Sequence, residues 1–130
     1  MSNIPRAPFV AASFTTQADL SAKQFFGGAL SSGLIIAASL TKGQVIAGII
    51  QEKVSASATD EKTVELAING ICRAQAGGNI SENDAVVVDT DGELIADDAA
   101  NQFVVGIALE SAVALDHFAI RLVLAPTTTS

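Results

Sequence analysis

The feature that most constrains the fold of this sequence is a motif that occurs twice. "VIAGIIQE" (residues 45–52) aligns with "FVVGIALE" (residues 103–110), with glycine fourth and glutamate eighth in both. A loop rich in small residues follows each copy, and an alternating segment follows the loop, "VELAI" (residues 64–68) or "IRLVL" (residues 120–124). Open-ended stacks need three or more units. We therefore predict a compact small barrel or sandwich made from a duplicated β unit.

Glycines mark the corresponding places in this repeat. Gly106 alone could form the corner of a binding site, because glycine allows close approach of a ligand. Its recurrence as Gly48 favours a packing role, in which a strand bends or bulges where the two units cross. Gly70 and Gly92 are interpreted as structural too, since Asn69-Gly70 and Asp91-Gly92 are typical turn dipeptides.

Period-two alternation indicates half-buried strands after Gly33. "TVELAI" (residues 63–68) and "FAIRLVL" (residues 118–124) place apolar side chains inward and put Arg121 outward. The inward positions are Val64, Leu66, Ile68, Phe118, Ile120, Leu122 and Leu124. "DAVVVDTDGELIA" (residues 84–96) predicts a hairpin with a type I′ turn at Asp91-Gly92. The expected fold class is all-β, with at most one short helix.

The beginning of the chain leaves two alternatives open. Thr16 and Asp19 could cap a short helix that Gly27 and Gly28 would end, or residues 24–30 could form a strand. Before this region, residues 1–14 carry two prolines and favour an extended arm, either a frayed end or a strand for a neighbour's sheet edge. The candidate arm contacts are Ile4, Pro5, Arg6, Pro8, Phe9, Val10 and Phe14.

The expected organisation is an arm, one domain and a tail. The arm covers residues 1–14, the β-rich domain residues 15–125 and the flexible tail residues 126–130. The internal repeat occupies about residues 45–68 and 103–124. A chain of 130 residues can bury a single core without disulfides or metals.

Composition argues against several function classes. The net charge of -7, from 14 acidic and 7 basic residues, disfavours nucleic-acid binding. Cys72 is the only cysteine, so neither an intramolecular disulfide nor a thiolate metal cage can form, and a reducing compartment is expected. The start lacks a signal-peptide pattern, and the apolar run 25–40 is too short and broken by Gly and Ser to span a membrane.

No group of residues has the spacing of a catalytic or cofactor site. His117 is the only histidine, and no nucleophile stands in a recognisable relation to it, so no enzyme activity is expected. The acidic stretch 82–98 superficially resembles a calcium loop. With Gly92 at the sixth position, however, Val87 falls at the first ligand position, so we predict a solvated acidic hairpin and neither metal nor cofactor.

The second half of the sequence resembles the capsid cement or head-decoration proteins of tailed bacteriophages. The shared pattern is a G-I step after a strand, an I-x-x-G/N-D-x-V step, a D-x-D-G-x-L hairpin, a V-G-I-A-L-E-x-A segment and a terminal V-x-V-type strand. Here these steps are Gly70-Ile71 and residues 80–86, 89–94, 105–112 and 120–124. The resemblance extends over about residues 19–124, with Asn83 where the family often has glycine.

This resemblance implies a β-tulip or barrel-like protein that binds the outer surface of a phage head. The implied partners are the major capsid protein and further copies of the chain in a homotrimer, without nucleic acid or membrane. The implied location is the virion, after synthesis in the host cytoplasm. The competing hypothesis is a β-type module on the virion that recognises a host glycan or other receptor, against which the lack of Trp and Tyr argues.

Overall fold

The protein forms strands and no helix in the part of the chain that the structure describes. The computed structural model describes residues 9–37, 39–99 and 102–126. The strands are β1 (Phe9–Thr16), β2 (Gly27–Ser31), β3 (Leu34–Ile36), β4 (Gly48–Ile50), β5 (Lys62–Gln75), β6 (Ala85–Val88), β7 (Leu94–Ala96), β8 (Phe103–Ala108) and β9 (His117–Pro126). They build a curled antiparallel sheet that forms a half-barrel. The predicted all-β class is confirmed.

The two halves of the sheet have corresponding strands in the same order when each half is followed from the centre to its edge. The order is β3-β2-β4-β5-β9-β8-β6-β7, and β1 pairs with β5 outside this path. The long strands β5 and β9 form the centre, the motif strands β4 and β8 flank them, and the hairpins β2–β3 and β6–β7 lie outermost. Each half therefore has the same four-strand connectivity.

The pairing register relates the two halves differently from the sequence alignment. Ile49 lies opposite Ala67, and Ile107 lies opposite Arg121. Ala67 thus corresponds to Arg121, which shifts the match between residues 64–68 and 120–124 by two positions. Alternation has a period of two residues, so a displacement of two leaves the apolar pattern intact and is invisible in the sequence.

The predicted turn at Asn69-Gly70 is wrong, because β5 continues through these residues. Gly70 has a φ of +94°, which a non-glycine residue rarely adopts. Before it β5 pairs with β1 and β4, and after it with β9. The glycine redirects the strand from one half of the sheet to the other and does not reverse the chain.

The helix alternative at Thr16 is also wrong, whereas the strand expected within residues 24–30 forms as β2 (Gly27–Ser31). The Thr16 hydroxyl donates to the carbonyl of Ile35 at 2.8 Å and accepts the amide of Ala18 at 3.1 Å. Asp19 likewise accepts the amide of Ser21 at 3.0 Å. Both residues satisfy nearby amides as helix caps do, but here they close turns, and Thr16 in addition fixes β1 to β3.

The hairpin at residues 85–96 is present, but its turn is not type I′. The loop between β6 and β7 has five residues, and of its predicted central pair only Gly92 has a positive φ, +93°. The Asp89 carboxylate accepts the amides of Asp91 and Glu93 at 2.8 and 3.0 Å. This side chain organises a wider loop than two residues could form.

Apolar side chains form two buried clusters. The first cluster lies on the inner side of β5, β8 and β9 and includes Phe118, Ile120 and Val105. The second cluster lies beneath β1 and includes Leu20, Ile50 and Leu66, with Phe14 packed against it. Alternation correctly predicted the buried positions Val64, Leu66, Phe118, Ile120 and Leu122. Each fully buried Leu or Ile contributes about 1.5–3 kcal/mol.

Candidate interaction surface

The predicted arm divides between strand β1 and residues that lie outside the described part of the chain. Ile4, Pro5, Arg6 and Pro8 lie outside the described residues. Phe9, Val10 and Phe14 belong to β1, which pairs along β5 from Phe9 opposite Gly70 to Thr16 opposite Lys62. Phe9 packs against the first cluster and Phe14 against the second, while Val10 is 55% exposed.

Among the residues that the structure describes, the outer edge of β1 is an open sheet edge except at Thr16, whose hydroxyl bonds to Ile35 of β3. In the ranges that the structure describes, β5 is the one strand that pairs with β1. The strand sequence "FVAASFTT" contains neither a charge nor a proline, the residues that commonly protect edges from further pairing. This edge can chemically accept an extended segment of another chain through backbone hydrogen bonds.

Gly48 and Gly106 both lie where two backbones approach closely. A Cβ on Gly48 would be 2.4 Å from the carbonyl oxygen of Ala67, and one on Gly106 would be 2.5 Å from that of Arg121. The β8–β9 register also shifts between Val104 and Gly106. These glycines permit contact between strands within the protein, and the space beside them holds backbone rather than a ligand.

Gly92 joins the acidic hairpin to the first half of the sheet. A Cβ there would lie 2.6 Å from the carbonyl oxygen of Ala37. The Gly92 carbonyl accepts the amide of Gly27 at 2.6 Å, and the Thr90 carbonyl accepts that of Leu40 at 3.1 Å. The hairpin loop is therefore packed against the start of β2 along part of its backbone.

The carboxylates of this hairpin loop form an acidic cluster, Asp89, Asp91 and Glu93. One oxygen from each lies within 4.8 Å of the others. Asp89 already accepts two amides of its own loop, and Glu93 accepts the side-chain amide of Gln75 at 2.8 Å. Much of the hydrogen-bonding capacity of Asp89 and Glu93 is thus committed within the protein.

His117 and Cys72 cannot act as a catalytic pair in this arrangement. His117 is exposed at the start of β9, 3.2 Å from the Gln75 side-chain oxygen through its Nε2 atom. Cys72 faces the first cluster on the opposite side of the same strand pair. Burial raises the pKa of the Cys72 thiol to about 12, so it is protonated and a poor nucleophile near neutral pH.

Exposed apolar side chains lie on loops and strand edges. The large ones in the described regions are Val10, Leu30, Val45, Val113, Leu115 and Val123. A hollow of about 320 Å³ lies beside Leu30 and Val45, with Gln44, Ile46 and Ala47 completing its lining. This lining has no charged group, so the hollow offers packing rather than acid–base chemistry.

Two arginines lie on the outer face of the sheet, and the sequence analysis identified only one of them. Arg121 was predicted to point outward, but Arg73 was not singled out. Ile71 pairs with Arg121 and Arg73 pairs with Ala119, which places both arginines on the outer face of β5 and β9. The alternation in "CRAQA" (residues 72–76) could have indicated this face, but not which strand lies beside it.

Comparison with known proteins agrees with the resemblance in the motif order. The sequence profile of the phage cement protein family matches residues 11–124. The chain belongs to this family. The match begins in β1, a few residues before the motif resemblance, which starts at about residue 19. The predicted cement-protein relationship is confirmed.

One solved structure has a fold similar to that of this cement-family protein. The head fiber gp8.5 N base of bacteriophage phi29 superposes with a TM-score of 0.67 at 17% sequence identity. The superposition covers 92% of the cement-family chain and 100% of the phi29 chain. The sequence has no match among curated proteins. At this identity the likeness to the phi29 protein is one of fold.

None of the described segments of this cement-family protein forms a helix long and apolar enough to cross a membrane. The apolar run at residues 25–40 instead supplies β2 and β3. Its apolar residues are used within the sheet, where Ala29 and Ile35 are fully buried.

Proposed function

We propose that this protein is a structural component of the virion that binds the outer surface of the phage head and stabilises contacts between capsomers. The observation that carries the proposal is membership of the phage cement protein family over residues 11–124. The likeness in fold to a head fiber base supports a location on the head. The buried, protonated Cys72 and its separation from His117 support a binding role over catalysis.

The proposed partners are the major capsid protein and other copies of the chain in a homotrimer. The excess of 14 acidic over 7 basic residues makes nucleic acid an unfavourable partner. Residues 4–14 are the proposed contact with the shell or with a neighbouring subunit. The open, uncharged edge of β1 supports this assignment, because an extended segment can pair along it.

Sedimentation with phage heads tests the proposal. Purified protein is mixed with expanded and with unexpanded heads that lack it, and the bound protein is measured across a range of concentrations. We expect saturable binding to one of the two forms. Binding to neither form would contradict the proposed function.

A truncation tests the contact assigned to the arm. Removing residues 1–14 would also remove most of β1 and uncover the second cluster, so removal of residues 1–8 is the cleaner change. Removal of residues 127–130 is the matched control at the other end. We expect the first truncation to lower head occupancy and the second to leave it unchanged. Undiminished binding after the first truncation would refute an essential role for residues 1–8 and leave head binding intact.

A further inference from the structure

Arg73 and Arg121 project from the outer face of the central strand pair. Their neighbours Cys72 and Ile120 point the other way into the first cluster. Arg121 is exposed and Arg73 is half-buried. In the antiparallel register the two arginines occupy diagonal positions, within reach of each other for long side chains.

These two positive charges form no ion pair within the described part of the chain, and the Glu110 carboxylate bonds instead to the amide of Ala119, the residue opposite Arg73, at 2.9 Å. Neither guanidinium has a carboxylate at salt-bridge distance or a side-chain hydrogen bond. Three of the lysines are differently placed: Lys42 pairs with Asp98 at 2.6 Å, Lys62 pairs with Asp60 at 3.4 Å, and Lys23 lies over the Phe26 ring. Like charges on long side chains at diagonal positions repel when they approach, and a carboxylate that pairs with both removes this repulsion.

The same face carries negative charge at its other end. Gln75 pairs with His117 and follows Arg73 by two residues, about 7 Å along the strand. Gln75 in turn donates to Glu93 at 2.8 Å, and Glu93 belongs to the acidic cluster with Asp89 and Asp91. We name this face the charge stripe; it runs from Arg121 and Arg73 through Gln75 to the acidic cluster.

We propose that the charge stripe is a docking surface for a second copy of this chain. The positive end attracts carboxylates and the negative end attracts cationic groups, and another copy supplies both. Apolar flanks complete the surface: Ile71 and Ile107 are half-buried, and Val123 is 40% exposed. Arginine is enriched at protein interfaces, where its planar group pairs with carboxylates in two hydrogen bonds. A polyanion would be repelled by the acidic end.

The inference rests on the self-association included in the proposed function, and it specifies the surface involved. A head-to-tail contact between the positive end of one stripe and the negative end of another can close into a ring of three copies, as the proposed homotrimer requires. Because the contact is charged, salt should weaken it. Head binding is measured separately by sedimentation, so either proposal can fail while the other stands.

Charge reversal tests the docking surface in solution. The variant R73E/R121E and the control K53E/K62E change the net charge by the same amount, but Lys53 and Lys62 lie outside the stripe. The assay is sedimentation velocity over a concentration series, with circular dichroism to verify folding. We expect the wild type and the control to self-associate and R73E/R121E to associate about 10- to 100-fold more weakly. R121E alone, at an exposed site, serves if the double variant does not fold.

A mixing experiment tests whether the two ends of the stripe meet. The variant D91K/E93K should also lose self-association, and mixing it with R73E/R121E should restore complexes that contain both chains. A wild type that stays monomeric throughout the concentration series would overturn the proposal. So would equal association of R73E/R121E and its control, or a mixture that forms no joint complex.

Discussion

Substitution of Gly106 by alanine tests the claim that this glycine allows two strands to approach. The new Cβ would lie 2.5 Å from the Arg121 carbonyl oxygen and 3.2 Å from its carbonyl carbon. Both atoms belong to the backbone of β9, so a side-chain rotation cannot relieve the contact. The strands β8 and β9 must separate by about 0.5–0.9 Å to reach an ordinary carbon–oxygen distance.

The expected loss of stability follows from the contact that the new Cβ makes with the backbone of β9. Overpacking of this kind costs about 1–3 kcal/mol, and a weakened ladder hydrogen bond adds about 0.5–1.5 kcal/mol. Alanine recovers about 0.4–1 kcal/mol by restricting the unfolded chain. We therefore expect Gly106→Ala to lower the free energy of unfolding by roughly 2–3 kcal/mol, with a Tm lower by about 10 °C. Gly106→Val should cost more.

Thermal and urea unfolding followed by far-ultraviolet circular dichroism provide the measurement, since the chain has no Trp or Tyr. The matched control is Gly78→Ala, because a Cβ on Gly78 would meet only Ile95 at 3.9 Å, an ordinary contact. Gly48→Ala should behave like Gly106→Ala, since its Cβ would lie 2.4 Å from the Ala67 oxygen. A Gly106→Ala protein as stable as the Gly78→Ala control would refute the packing explanation and reopen a functional role for this glycine.

Two further predictions concern a second glycine and the cysteine. Gly92→Ala should destabilise the protein by about 2–4 kcal/mol, and Gly33→Ala by only about 1–2 kcal/mol. Both glycines have a positive φ, but only at Gly92 would the new Cβ meet backbone atoms. Equal losses of stability in urea unfolding would contradict this prediction. Burial raises the pKa of the Cys72 thiol from 9.0 to about 12. As the pH rises, the unfolded chain therefore loses this proton before the folded protein does. The free energy of unfolding should then fall as the pH rises from 9 toward 12. The fall should reach up to about 1.4 kcal/mol per pH unit and be absent from Cys72→Ala; identical pH profiles of the two proteins would refute it.

The duplicated strand connectivity at the centre of the sheet was predictable, because the local sequence pattern agrees there with the long-range strand pairing. The recurrence of Gly48 and Gly106 indicated a duplicated unit, and the structure gives the two motif strands the same neighbours. Alternation likewise identified Leu66 and Ile120 as buried, because a period of two decides the face whatever strand lies beside it.

Other features depend on tertiary neighbours that the sequence does not contain. Gly70 has the local signature of a turn, but the partners of β5 on both sides keep the strand extended. Thr16 has the signature of a helix cap, but its hydroxyl is used by Ile35, which is distant in sequence. The role proposed for Arg73 could not be inferred either, since which side chains lie beside it depends on how the chain folds.

The most direct test of head binding is a cryo-electron microscopy difference map between heads with saturating protein and heads without it. The proposed function predicts additional density on the outer surface of the shell, at the boundaries between capsomers, into which the half-barrel fits. A map without additional density on the outer surface at saturating protein would contradict the proposal.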